Sequence, residues 1–146
     1  MKATIQNDVK DAMRAKDREK VTTLRAILAE IQEAELQKRG EGLSEADYLT
    51  ILNRMVNQRR ESIDQFKKAD RTDLVEKEEA QLVHIMPYLP EQLSDAEIVA
   101  IIDAAMAKLE VNDMSGMGKL MNAIRPELLG KADMGAVSAL VKSRLS

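Results

Sequence analysis

From Ile5 to Leu145 the apolar residues of this chain recur three and four positions apart, the spacing of one face of an α-helix. Ile5, Val9, Ala12 and Met13 form a first stripe. Val21, Leu24, Leu28 and Ile31 form a second after Asp17, and Gly40 and Gly42, flanking Glu41, close it. Ser44 then reads as the cap of a long third helix, with Asp47 in the capping-box position and Leu43 and Tyr48 as a hydrophobic staple. Its stripe runs through Leu52, Met55, Val56, Ile63 and Phe66. Leu74, Val75, Leu82, Ile85 and Met86 make a fourth helix beginning near Thr72. No segment alternates as a half-buried strand does, and aromatic residues are only 2% of the chain. The fold class is all-α.

The pattern breaks at Pro87-Tyr88-Leu89-Pro90, where two prolines remove amide donors and push their predecessors out of the helical region. A domain boundary is expected here: residues 1–90 as a hairpin-like helical part of about four helices, and residues 91–146 as a bundle of three. Ser94-Asp95-Ala96-Glu97 is a capping box opening a helix with Ile98, Ile101, Ile102, Ala105, Met106 and Leu109 inward. A short helix after Ser115 is expected to end at Arg125-Pro126, with Met117, Leu120, Met121 and Ile124 as its apolar side. Asp133 is the expected N-cap of the last helix, with Val137, Leu140, Val141 and Leu145 facing inward.

At 146 residues the chain holds one ordinary domain or two small ones, with no room for a catalytic barrel. There is no cysteine, which excludes disulfides, thiolate metal sites and a Cys nucleophile, and there is one histidine. The first residues lack the apolar core of a secretory signal, and no run of about 18 apolar residues could span a membrane. A soluble cytoplasmic protein is expected. The net charge of −3 is unevenly spread: residues 53–71 carry +3, residues 72–110 carry −7, and residues 111–146 carry +2.

The motifs for chemistry are few. His84 has no second histidine or carboxylate three or four positions away, so it makes no zinc helix, and Glu76, Glu78 and Glu79 lack calcium-loop spacing. No cofactor or metal site is expected. Gly116-Met117-Gly118-Lys119 fails as a P-loop, since Leu120 stands where Ser or Thr is needed. It fails as a dinucleotide fingerprint because Met121 replaces the third glycine. Two readings stay open there: free amides and Lys119 seating one phosphate at a helix start, or glycines that only allow a tight turn. Arg59, beside Arg60, interrupts an apolar stripe and must snorkel, pair with a carboxylate or face a partner. No nucleophile elbow occurs, so the residues alone describe a helical module with no self-contained active site.

Three groups of residues resemble the GatB/YqeY family: Tyr88-Leu89-Pro90-Glu91-Gln92-Leu93-Ser94, then Met117-Gly118-Lys119-Leu120-Met121, then Gly130-Lys131-Ala132-Asp133 with the closing helix. Leu24-Arg25, Arg59 to Ile63 and Arg71-Thr72-Asp73-Leu74 are similar to the N-terminal part of free-standing YqeY-like proteins. In that family the module forms the tail of the B subunit of the glutamine-dependent tRNA amidotransferase, where it helps hold the tRNA body. The resemblance implies an accessory module associated with tRNA or with amidation machinery. Carbon–nitrogen ligase activity is implied only through the full-length relatives, whose ATP-binding domain has no counterpart here.

Two functions follow as expectations. In the first, Lys119, Arg125, Lys131 and Lys142 bind the tRNA backbone, with the amides near Gly116 and Gly118 as a phosphate seat. In the second, the acidic 72–110 stretch with Arg59 and Arg60 docks a synthetase, an amidotransferase component or another protein, without RNA.

Overall fold

The computed structural model describes residues 1–146 and contains seven α-helices and no strand. It divides into two compact units, Met1–Leu89 and Pro90–Ser146.

The first unit consists of α1 (Lys2–Arg14), α2 (Arg18–Gln37), α3 (Glu45–Lys68) and α4 (Thr72–Ile85). Helix α1 packs on α2, α3 packs on α4, and α2 against α4 joins the two hairpins. Lys2 at the start of α1 meets Glu35 near the end of α2 at 2.8 Å, as an antiparallel pair requires. The caps follow from local chemistry. Asp17 accepts from the Lys20 N–H, and Ser44 with Asp47 forms the complete capping box at the head of α3. Gly40 and Gly42 both have positive φ, at 87° and 76°, the conformation that an L side chain resists.

The core of this unit is Ile5, Leu24, Ile27, Ile31, Leu52, Met55, Val56 and Ile85, each at most 2% exposed. Burying such a side chain contributes about 1.5–3 kcal/mol. The inward face of α2 differs from the stripe read in the sequence. Thr23, Leu24, Ile27 and Ile31 are buried, whereas Val21 and Leu28 are half-buried. Helix α2 is covered by α1 on one side and α4 on another, so its buried face is turned and widened. Met13 is exposed, and Tyr48 and Phe66 are half-buried at the edge of α3. Pro87 does not stop α4 abruptly: Met86–Tyr88 forms one 3-10 turn, and Leu89 remains in the core.

The second unit contains α5 (Asp95–Leu109), α6 (Met117–Leu128) and α7 (Met134–Leu145). Its core is Ile98, Ile102, Val111, Leu120, Ile124, Leu128, Val137, Val141 and Leu145. Both expected caps are present, Ser94 with Glu97 on α5 and Asp133 on α7. The expected end of α6 is corrected. The helix runs through Pro126 to Leu128, because proline in a last turn costs one hydrogen bond while Leu128, fully buried, holds that turn against the core.

Candidate nucleic-acid interface

The structure gives the two glycines of Gly116-Met117-Gly118 separate explanations. Gly116 closes the 3-10 turn Met114–Gly116 and is the N-cap of α6. A Cβ there would lie 2.5 Å from Val111 Cγ1, so the residue is glycine because the buried Val111 packs on it. Above Gly118 a Cβ would meet nothing, and no positive φ requires glycine there.

Gly118, Lys119, Asn122, Arg125 and Pro126 are all exposed. At 100° per residue they occupy the outward side of α6, opposite Leu120, Ile124 and Leu128. Lys119 and Arg125 stand at the two edges of this face, about 120° apart. No carboxylate lies on it; Glu127, the one acidic residue of α6, sits beside Ala123 on another side.

Lys131 is exposed in the connection between α6 and α7, and that connection is tied down. Gly130 has φ of 78° and is buried. Gln92 Nε2 donates to the carbonyls of Gly130 at 2.6 Å and Pro90 at 2.9 Å. The Leu93 N–H donates to the Lys131 carbonyl at 2.9 Å. The segments Pro90–Leu93 and Gly130–Lys131, thirty-eight positions apart at their closest pairing, are thus one structural feature. Sequence reasoning missed Gln92 as its clamp, since a lone glutamine gives no signal of its partner.

Lys142 is exposed in the last turn of α7. None of Lys119, Arg125, Lys131 and Lys142 takes part in a salt bridge, whereas Arg144 is occupied by Asp103 at 2.5 Å. The unit carries six basic and eight acidic side chains, net −2. Five of its eight acidic residues lie within residues 91–110, and the part from Val111 onward is net +2.

In the first unit, Arg59 is engaged internally. Its Nε donates to Gln81 Oε1 at 3.0 Å and its Nη1 to the Met55 carbonyl at 3.1 Å, which links α3 to α4. That accounts for an arginine in an apolar stripe. Arg60 is half-buried and forms no salt bridge. His84 lies in the last turn of α4.

No cluster of three or more histidines or carboxylates could hold a metal ion. The perturbed titrations have local causes. The Ser44 amide and hydroxyl hold the Asp47 carboxyl below the usual range, and Arg71 does the same for Asp73. Burial, followed by the hydrogen bond to Asp8, pushes the Tyr88 phenol up, which is opposite to what a nucleophile or base at neutral pH requires.

Residues 2–145 match the family described as Yqey-like protein. The chain belongs to this YqeY-like family. Among curated relatives, the YqeY-like chain is 35% identical over 115 residues to the "altered inheritance of mitochondria protein 41, mitochondrial" of Lachancea thermotolerans, covering 77% of this chain and 62% of that one. To the protein of the same name from Eremothecium gossypii it is 39% identical over 110 residues, 74% and 60% of the two chains. To that of Pyrenophora tritici-repentis it is 34% identical over 126 residues, 83% and 69%. The YqeY-like chain spans about three fifths of the length of the first two relatives.

These names correct the cytoplasmic location expected from the sequence, because the relatives are named as mitochondrial proteins. A helical composition does not distinguish one aqueous compartment from another. No helix is long and apolar enough to cross a membrane.

Proposed function

We propose that this YqeY-like chain is a binding module whose second unit holds the sugar–phosphate backbone of tRNA through α6, the Gly130–Lys131 connection and α7. The observation that carries this reading is that Lys119, Arg125, Lys131 and Lys142, the unpaired cations from Val111 onward, are all exposed, two of them edging a face of α6 free of carboxylates. An unpaired lysine or arginine is available to a phosphate without breaking an existing contact. Gly118 and Asn122 keep the face low between its charged edges.

The unit has no aromatic residue, so bases cannot stack on it, and recognition is of backbone and shape. The resemblance to the tail of the amidotransferase B subunit supplies tRNA as the nucleic acid. The module binds and does not transform. Amide transfer, where the chain is associated with it, belongs to a partner that carries the ATP and glutaminase chemistry.

The test is fluorescence anisotropy of labelled bulk tRNA against the full chain across a salt series. Four phosphate contacts give a log–log slope of roughly −3 to −4, and Lys119→Ala with Lys131→Ala flattens it by about 2. An unchanged slope in the double variant would remove these residues from the interface. Absence of binding at low salt would leave the acidic 72–110 stretch and a protein partner as the better reading.

A further inference from the structure

The middle of helix α5, from Ile98 to Ala107, is apolar around its circumference except at Asp103. Between Glu97 and Lys108 it carries one charged side chain, Asp103, and that one is neutralised by Arg144 at 2.5 Å. The second unit buries only one side of it, through Ile98 and Ile102. Val99 and Ile101 are half-buried, and Ala100, Ala104 and Ala107 are exposed. A helix that is apolar all round is normally an interior helix, so the outer side of α5 is short of a covering element.

Beside that side runs a groove of about 390 Å³ between α5 and α6, lined by Ile101, Ala104, Ala105, Ala123 and Ile124. Its small side chains allow a helix backbone to approach closely. Two charged residues also line it, Lys108 from α5 and Glu127 from α6, and neither has an ion-pair partner within the chain. Helices α5 and α6 pack against each other and form the two walls of the groove. Lys108, in the last turn of α5, and Glu127, in the last turn of α6, stand on the two walls of the groove and form no salt bridge with each other.

We infer that this groove is a self-association surface, occupied by α5 of a second copy of the chain in an antiparallel, two-fold dimer. A two-fold axis near Ala104 sets the exposed alanines of one α5 against those of the other. It places Lys108 against Glu127 of the partner subunit, and the reciprocal pair forms at the other end. An isologous contact requires that kind of self-complementarity, with each patch supplying both signs in reversed order. An unrelated apolar helix would bury the alanines but leave both charges uncompensated. RNA would be repelled by Glu127 and offered only Lys108.

Sedimentation equilibrium of the full chain from about 1 to 300 µM is the test, a range that brackets weak homodimers. The expected result is a species of twice the 16.3 kDa chain mass, with a dissociation constant within that range. Ala104→Glu, at an exposed helical position where folding tolerates it, brings two carboxylates together at the axis and leaves a monomer. Lys108→Glu weakens the dimer about tenfold, since two symmetric rim pairs are lost and replaced by repulsion. Lys108→Glu combined with Glu127→Lys restores it, and only a contact in which each residue meets the other across the axis predicts that rescue. A monomer at every concentration overturns the inference. So does a dimer indifferent to Ala104→Glu and to the charge reversals, provided circular dichroism shows the variants folded.

Discussion

A Cβ on Gly116 would fall within 2.5 Å of Val111 Cγ1, while one on Gly118 would project into open space. Valine is stiff at χ1 and Val111 is buried, so the clash has no inexpensive relief. Gly116→Ala is therefore expected to destabilise the second unit by about 1–3 kcal/mol. Gly118→Ala, in the first turn of α6, should be neutral or stabilising by up to about 1 kcal/mol. Thermal unfolding of the two variants checks the pair, and equal effects would refute the assignment. At the head of α3, Asp47 accepts from the Ser44 N–H at 2.9 Å, and this lowers its folded-state pKa. A depressed carboxylate contributes stability that is complete above its unfolded pKa, about 3.9, and is lost as pH falls through the lower folded value. The stability gap between wild type and Asp47→Ala should accordingly be open at pH 7 and close below about pH 4. Urea titrations at several pH values read it. Caps of this kind were legible because each is a local pattern of three or four residues. The partner of Arg59 was not, since Gln81 lies twenty-two positions away on another helix.

At the scale of elements, the sequence located every helix, because apolar spacing and capping are both local. What it placed less well were the inward faces and one end. Ile27 replaced Leu28 in the core once α1 and α4 both packed on α2, and Leu128 carried α6 past Pro126. The connection from α6 to α7 shows a similar limit. Gly130-Lys131-Ala132-Asp133 was visible as a turn and a cap, but its attachment to Pro90 and Gln92 depends on tertiary structure. Gln92→Ala leaves two carbonyls without their donor and should cost about 1–3 kcal/mol of second-unit stability. Faster amide exchange at Lys131 and Leu93, whose carbonyl and N–H pair, would accompany it. Unchanged exchange would mean that the clamp does not hold the connection.

For the whole molecule, two compact helical units together make up a chain of the YqeY-like family. The candidate site was legible in part. Lys119, Arg125, Lys131 and Lys142 could be named as four of the six basic residues of the last third of the chain, yet sequence could not show that all four lack an internal partner while Arg144 has one. Helical periodicity alone puts Glu127 off the outward side of α6, but that this side is exposed is known only from the structure. In the second unit the stretch from Pro90 to Glu110 is net −4 and the part from Val111 onward is net +2. The most direct measurement is the affinity of the full chain for labelled bulk tRNA at about 50 and 200 mM salt, where four phosphate contacts predict a fall of about a hundredfold. An affinity independent of salt, or no binding at the lower concentration, would contradict backbone recognition by these four cations.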